Sequence, residues 1–238
     1  MKNDPLRLLA LIPARAGSTR LPGKNTRSFG GRPLIEHTIE CALECPALTR
    51  VIVSTDSKEV AEVSRKAGAD VPWMRPDELA SNTATSMSVA QHALKSCEEE
   101  EGEAYHGVVL LQPTSPLRQS RDVQTGVAVW LATAAKLVVS VSPTEFPASF
   151  LVQVAPDGGV APWPVPEVAG GMPPAQSYRY NGAVYVFQSD VVREGQEVAA
   201  QDRRAFVMPS WRSGDIDTLE DFVKAEAMWA QRRVFDDR

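Results

Sequence analysis

Two groups of side chains suited to phosphate chemistry stand near opposite ends of this sequence. Asp215 and Asp217 are carboxylates spaced i,i+2 around apolar Ile216. In an extended segment that spacing sets both acids on one face and turns the isoleucine to the other. Two hard oxygen ligands on one side suit Mg²⁺, which keeps several waters and takes its remaining ligands from phosphate oxygens. The same acids could instead cap the helix that follows, and spacing leaves both readings open. Near the amino end, Gly17, Ser18, Arg20, Gly23, Lys24 and Asn25 follow the apolar run Leu8, Leu9, Leu11 and Ile12. Small residues let backbone N–H groups approach an anion, while Arg15, Arg20 and Lys24 add full positive charges. This loop reads as a triphosphate cradle or as an ordinary solvated turn between a strand and a helix.

Generic phosphate motifs do not describe it. Gly17 and Gly23 have five residues between them, and Asn25 stands where a Walker A loop needs a Mg²⁺-ligating hydroxyl. No G-x-G-x-x-G occurs.

The elements that must position these groups follow from the apolar pattern. An unbroken apolar run reads as a strand buried on both faces, so Leu8–Ile12 and Val108–Leu111 are expected as central strands of a parallel sheet. Polar residues follow each: the cationic loop after the first, and Gln112, Pro113, Thr114 and Ser115 after the second. In open α/β sheets ligands bind at the carboxyl ends of strands, and these two exits can serve one ligand only if their strands are neighbours. Helical spacing predicts a helix from Pro33 and a second one capped by Ser57 that stops at Gly68. A third is expected from Thr85 and Ser86, and a fourth capped by Ser120. Val51–Ser54, Val71–Met74, Leu137–Val141 and Ala183–Phe187 read as further strands. Thr218 with Asp221 three residues on resembles a capping box for a last helix. The acidic run from Glu98 to Glu103 reads as a solvated helix end and linker.

Between Ser142 and Gln176 the pattern breaks. Pro143, Pro147, Pro156, Pro162, Pro164, Pro166, Pro173 and Pro174 exclude long helices there. An extended arm or small β excursion, with a strand over Phe150–Val154, is expected.

The chain has 238 residues, a formal net charge of −5 and a pI near 5.3. It is long enough for one large α/β domain spanning 1–238, and its acidity argues against a nucleic-acid partner. Cys41, Cys45 and Cys97 form an odd set without metal-ligand spacing and read as reduced thiols. No apolar stretch has the length of a membrane span or a signal core, which points to the cytoplasm. His37, His92 and His106 are expected to be structural or solvated, so no side chain announces itself as a general base.

Several motifs taken together identify a resemblance. IPARAGSTRLPGKN, then STD (Ser54–Asp56), RPDELA (Arg75–Ala80), LLQPTSPLR (Leu110–Arg118), YRYNGAVY (Tyr178–Tyr185) and DIDTLED (Asp215–Asp221) resemble the CMP-sialic acid synthetases, the N-acylneuraminate cytidylyltransferases. They resemble more distantly the enzymes that activate 3-deoxy-manno-octulosonate with CTP. The resemblance implies a Rossmann-like, doubly wound, mostly parallel sheet with helices on both faces. It also implies a small insert, about 142–180, that forms a dimerisation and sugar-site arm in a homodimer; a surface loop is the alternative. The implied reaction transfers CMP from CTP to the anomeric hydroxyl of an acidic eight- or nine-carbon α-keto acid sugar, with Mg²⁺, and releases pyrophosphate.

By the same resemblance, Asp215 and Asp217 hold the metal, while Arg15 and Lys24 hold the β- and γ-phosphates. Ala16, Gly17 and Ser18 add loop contacts. Asn25, Arg75, Ala84 and Ser86 enclose base and ribose, and Gln112 orients the sugar with Thr114, Ser115, Arg179, Asn181 and Tyr185. Gln112 and Thr114 could instead tie down the strand exit. The departure from the family pattern lies in the insert, which has no Lys or Arg between Lys136 and Arg179. A sugar carboxylate wants a cation or several donors. Arg179, Arg193, Arg203, Arg204 and Arg212 are the candidates left, and Val198 and Ala199 stand where aromatic residues are expected. A legionaminate- or pseudaminate-like sugar is therefore expected nearly as readily as N-acetylneuraminate. Other readings are a transferase for another nucleotide or a neutral sugar phosphate, and a catalytically inactive nucleotide-binding module.

Overall fold

A computed structural model describes residues 5–18, 20–81, 83–147, 150–163 and 176–236. Its centre is a six-stranded sheet. In chain order these strands are β1 (Leu8–Pro13), β4 (Arg50–Ser54), β5 (Gly107–Leu110), β6 (Leu137–Pro143), β9 (Tyr178–Gln188) and β10 (Arg203–Val207). Across the sheet the order is β10-β6-β9-β5-β1-β4. β1 runs parallel to both β4 and β5, β10 runs parallel to β6, and β9 is antiparallel to its two neighbours. The sheet is thus the mostly parallel one expected. β1 and β5 pair directly, with Leu11 opposite Leu110, so their carboxyl ends open side by side.

Every residue from Leu8 to Ile12 is fully buried because each face of β1 is covered. Leu8, Ala10 and Ile12 pack among residues of α1 (Leu34–Leu43), α2 (Lys58–Lys66) and α5 (Ser120–Thr133). Leu9 and Leu11 face the other way, against α4 (Ser86–Glu101) and Val192 of α6 (Ser189–Glu194). A third cluster joins Leu21 and Phe29 of the cationic loop and β2 (Ser28–Phe29) to Ile216 and to Phe222 of α7 (Leu219–Ala230). It packs the two ends of the chain together beneath the site.

The caps explain where the helices begin. Ser57 Oγ accepts the Val60 N–H at 3.2 Å and Thr85 Oγ1 accepts that of Ser88 at 3.1 Å. Thr218 and Asp221 exchange both bonds of a capping box, at 3.2 and 2.9 Å. Gly68 closes α2 in the left-handed region, φ +96°.

Four expectations change. Pro33 stands one residue before α1, in β3 (Arg32–Pro33), which forms a two-residue ladder with β2. Val71–Met74 is not a strand: ladder pairing with β4 is confined to the Ile52–Asp70 bridge, and Pro72, lacking an N–H, cannot extend it. It continues into a single helical turn, α3 (Asp77–Ala80). Gln119, not Ser120, is the N-cap of α5, because Asp122 reaches back to accept the Gln119 N–H at 2.9 Å. The acidic run is not simply solvated. Glu98 binds Arg193 at 2.6 Å, and Glu101 binds Arg50 at 2.8 Å and the Tyr105 hydroxyl at 2.9 Å, tying α4 to β4 and α6.

In the insert, β7 (Val152–Val154) and β8 (Val160–Pro162) form an exposed antiparallel hairpin, narrower than the strand expected over Phe150–Val154. The rest of the predicted arm at 148–149 and 164–175, with Pro164, Pro166, Pro173 and Pro174, lies outside the described residues.

Candidate active site

The exits of β1 and β5 and the segment before α7 enclose a cavity of about 360 Å³. Arg15, Ser18, Lys24, Asn25, Arg75, Ala84, Ser86, Gln112, Thr114, Asp215 and Asp217 all line it. Residues separated by two hundred positions in sequence therefore share one space, with cations supplied by the loop after β1 and carboxylates by the segment before α7.

The cationic side is shaped by turns. Gly23 takes φ +67°, and the Arg27 N–H then returns to the Gly23 carbonyl at 3.1 Å. The Asn25 side chain donates to the Arg15 carbonyl at 3.1 Å, and the Ala16 N–H donates to Asp56 Oδ1 at 2.8 Å. Arg15 crosses to the Ser81 carbonyl at 3.1 Å. Arg75 is buried, donating from Nε to Ser54 Oγ at 3.1 Å and from Nη2 to the Ser54 carbonyl. Burial lowers its pKa from the ordinary arginine value.

Across the cavity, Ile216 is fully buried in the third cluster while both flanking acids face the opening, as their alternation requires. The Ile216 N–H donates to the Thr114 carbonyl at 2.8 Å, which sets the segment against the β5 exit. Lys24 Nζ reaches over to the Ile216 carbonyl at 2.9 Å and lies 3.4 Å from Asp217 Oδ1; Arg20 lies 2.9 Å from Asp217 Oδ2. Burial raises the pKa of Asp215, opposed by the Thr114 hydroxyl and reinforced by the neighbouring charge of Asp217.

Among the described residues no cluster of three or more His, Cys, Asp or Glu could hold a metal by itself. Two carboxylates nevertheless fit Mg²⁺, an ion content with few protein ligands where phosphate supplies others. Asp215 Oδ1 supports that fit, being buried without a hydrogen-bond partner. Gly182, at φ +73°, leaves the space beside it open, since a Cβ there would stand 3.3 Å from Gln112 Oε1 and 3.8 Å from Asp215 Oδ2.

Six expected site residues stand outside the cavity wall. Ala16 lines a smaller pocket behind the loop, and Gly17 lines neither. Ser115 is fully buried with its hydroxyl unpartnered, so it faces the interior rather than a sugar. Asn181 is 2 % exposed, and its amide is consumed by Ser140, Ala183, Ser213 and Met208, which leaves no position for a ligand. Arg179 donates to the Ser213 carbonyl at 3.1 Å. Tyr185 stacks on Phe187, and burial together with the charge of Asp215 raises its pKa.

The other candidates for a sugar carboxylate are engaged elsewhere. Arg212 is buried against Asp122, and Arg193 pairs with Glu98 and Asp190. Arg203 and Arg204 bond to backbone carbonyls around 198–203.

Sequence reasoning missed Leu79, Ser81 and Val89, which line the cavity beside Ala84. An apolar wall opposite a polar one is what a planar base needs, but only the packing of α3 against α4 brings Leu79 there. The three histidines stand outside the wall. His37 donates from Nε2 to the Phe29 carbonyl at 2.8 Å and is held neutral by burial, its pKa lowered to about 4. His106 accepts the Arg7 N–H at 3.1 Å and His92 packs edge-on against Trp73. All three cysteines are buried and free, and burial pushes the Cys41 thiol up to about 11.

Residues 9–155 match the family model described as cytidylyltransferase. The chain is 36% identical over 225 residues to the CMP-N,N'-diacetyllegionaminic acid synthase of Legionella pneumophila, covering 94% of this chain and 96% of that one. The chain belongs to the cytidylyltransferase family. Within it, an N-acylneuraminate cytidylyltransferase of Escherichia coli O18:K1:H7 is 30% identical over 92% of this chain but only 51% of its own length. The resemblance to the CMP-sialic acid synthetases, drawn from six motifs, therefore holds. A solved CMP:2-keto-3-deoxy-manno-octonic acid synthetase complexed with CTP shares the cytidylyltransferase fold, with a TM-score of 0.69 at 21% identity over 95% of this chain and 99% of that one. No helix among the described residues is long and apolar enough to cross a membrane.

Proposed function

We propose that this cytidylyltransferase transfers CMP from CTP to the anomeric hydroxyl of a nine-carbon α-keto acid sugar of the legionaminate type, releasing pyrophosphate. The observation that carries the reading is the end-to-end identity with the legionaminic acid enzyme, at 36%, in a chain whose insert lacks the cations expected of a neuraminate site. Relatives of both kinds favour CTP and an acidic sugar as the substrate pair.

The chemistry follows from the two walls. Arg15 and Lys24 bind the β- and γ-phosphates, and Ser18 with the loop N–H groups adds hydrogen bonds. Ala84, Leu79 and Val89 bound the base, with Ser86 at the head of α4. Gln112 holds the sugar so that its hydroxyl oxygen attacks the α-phosphorus in line with the departing pyrophosphate oxygen; the hydroxyl proton passes to solvent. Arg179, on β9, donates to the Ser213 carbonyl beside the acidic segment and is the candidate cation for the sugar carboxylate. Positioning and electrostatic stabilisation do most of the catalytic work in such transfers. Asp215 and Asp217 would hold Mg²⁺. When bound, that ion supplies charge neutralisation at the phosphates and lowers the pKa of a coordinated hydroxyl.

We read the insert as a dimerisation arm acting in the cytoplasm. Exposed Phe150, Leu151, Val152, Val154 and Trp163 on and beside the β7–β8 hairpin support burial against a second copy, and free thiols suit a reducing compartment. Sedimentation of a chain lacking 156–174 tests the arm; a dimer that persists in that variant contradicts it. The function itself is tested by pyrophosphate release from CTP and Mg²⁺ with N,N'-diacetyllegionaminate, pseudaminate, N-acetylneuraminate and 3-deoxy-manno-octulosonate. The highest kcat/KM is expected for the legionaminate. Release with UTP or GTP in place of CTP, or none with any acid sugar, overturns the reading.

A further inference from the structure

The segment that delivers Asp215 to the cavity is held from behind by side chains that never reach the cavity. Arg212 ends a 3-10 turn, Ser210–Arg212, and is 8 % exposed. Its Nη2 and Nε donate to the two carboxylate oxygens of Asp122 at 2.7 and 3.0 Å. Asp122 is 4 % exposed and also accepts the Gln119 N–H, so the guanidinium is anchored to the first turn of α5. The next residue, Ser213, is fully buried; its hydroxyl donates to the Pro209 carbonyl and accepts the Asn181 amide, both at 2.9 Å. Asn181 is pinned in turn by the Ser140 hydroxyl.

Burying a paired guanidinium and carboxylate costs desolvation that an apolar pair of similar volume avoids, so stability alone is a poor reason for them. What a bidentate pair does supply is direction, because its two parallel bonds fix the plane of the guanidinium. That direction is passed within three residues to a carboxylate with an unpartnered oxygen. Supporting groups of this kind orient metal ligands elsewhere, and removing one weakens metal affinity about 10–100-fold.

We propose that Arg212, through Asp122, and Asn181, through Ser213, are positioning residues that aim Asp215 at the metal of the bound nucleotide. The proposal rests on the assignment of Asp215 as a metal ligand made above. It gives Asn181 a role other than contact with the sugar, and it gives Arg212 one other than binding the sugar carboxylate.

The test is the factor by which Mg²⁺ strengthens CTP binding, measured by calorimetry on the full chain with Mg²⁺ and with EDTA, without acceptor sugar. Asp122→Asn keeps the shape and the bond from Gln119 while removing the charge. Arg212→Lys keeps the charge while losing the fork, and it carries the test if the first variant does not fold. Asn181→Ser removes the bond to Ser213. Each folded variant is expected to lose about tenfold of the Mg²⁺-dependent gain, as expected for a supporting group, while CTP affinity in EDTA changes by less than about twofold. A pair that serves folding alone would lower the melting temperature and leave the gain intact, and that result overturns the proposal. Asp215→Asn separates the two claims. If it abolishes the gain and the other variants do not, only the positioning role fails; if it leaves the gain untouched, the metal assignment itself is wrong.

Discussion

The two walls of the cavity are built on different principles. The cationic wall is carried largely on turns and its charges are held unevenly: the Arg20 side chain is 66% exposed, while that of Lys24, bonded to the Ile216 carbonyl, is 14% exposed. The acidic wall hangs from a buried lattice in which Arg212, Ser213 and Ile216 are each anchored to a different element. The difference matches what each wall is proposed to hold. A triphosphate tail is long and tolerant, and it is attracted at a distance by full charges. A hard cation of near-octahedral demand needs its carboxylates set in advance. Under the proposed function, one wall would gather the ligand and the other would fix the reacting geometry.

If that contrast is right, removing a group from the acidic wall should stop chemistry, while removing one from the cationic wall should chiefly weaken binding. The largest effect is expected for Asp217→Ala. Turnover in a pyrophosphate assay should fall about 10³-fold or more, with little change in melting temperature because the side chain is 37% exposed. Near-normal turnover would break the comparison. Lys24→Ala should raise the Kd of CTP by about tenfold or more, the worth of a charged hydrogen bond, and leave that of CMP much less affected. Equal losses for the two nucleotides would mean that the lysine serves its bond to the Ile216 carbonyl and not the terminal phosphates.

A third test concerns support of the cationic wall. His37 holds the Phe29 carbonyl, and Phe29 packs against Leu21 of the loop. Its pKa is about 4 in the folded protein against an ordinary 6.5, so between those values the unfolded chain binds the proton first. Stability should therefore be whole above pH 6.5 and decline on acidification toward pH 4, by about 2 kcal/mol from this residue at pH 5. His37→Gln should show a shallower decline in denaturant titrations across that window; an unchanged slope would assign the acid sensitivity elsewhere. The smallest effect is expected at Gly182. Gly182→Ala carries a left-handed backbone cost of about 1 kcal/mol, and its methyl intrudes between Gln112 and Asp215. Acceptor-dependent turnover should fall while CTP affinity holds, and a loss confined to CTP binding would place Gly182 on the wrong wall.

Much of this arrangement is legible in the sequence where a single element carries it. The apolar runs of β1 and β5 announce central strands whatever their neighbours do, and the spacing of Asp215, Ile216 and Asp217 fixes which side chains face out. The Thr218 and Asp221 capping box is local and is found as read. Illegible features depend on partners far along the chain. Asp122 and Arg212 are 90 residues apart, so neither reveals that it is buried. Asn181 looks like a ligand-binding amide until Ser140, 41 residues earlier, and Ser213, 32 later, are seen to consume it. Glu98 and Glu101 belong to a run of acids, and only the approach of Arg193 and Arg50 turns part of that run inward. Val71–Met74 misleads for the opposite reason: its apolar residues pack without forming a ladder, because Pro72 interrupts the donors.

The central claim is that both walls close on one nucleotide. A crystal grown with CTP and Mn²⁺ tests it directly, since manganese scatters anomalously. The account predicts one anomalous peak beside Asp215 and Asp217, shared with a triphosphate whose terminal phosphates touch Arg15 and Lys24. A triphosphate bound away from the loop, or manganese seated on other residues, would contradict it.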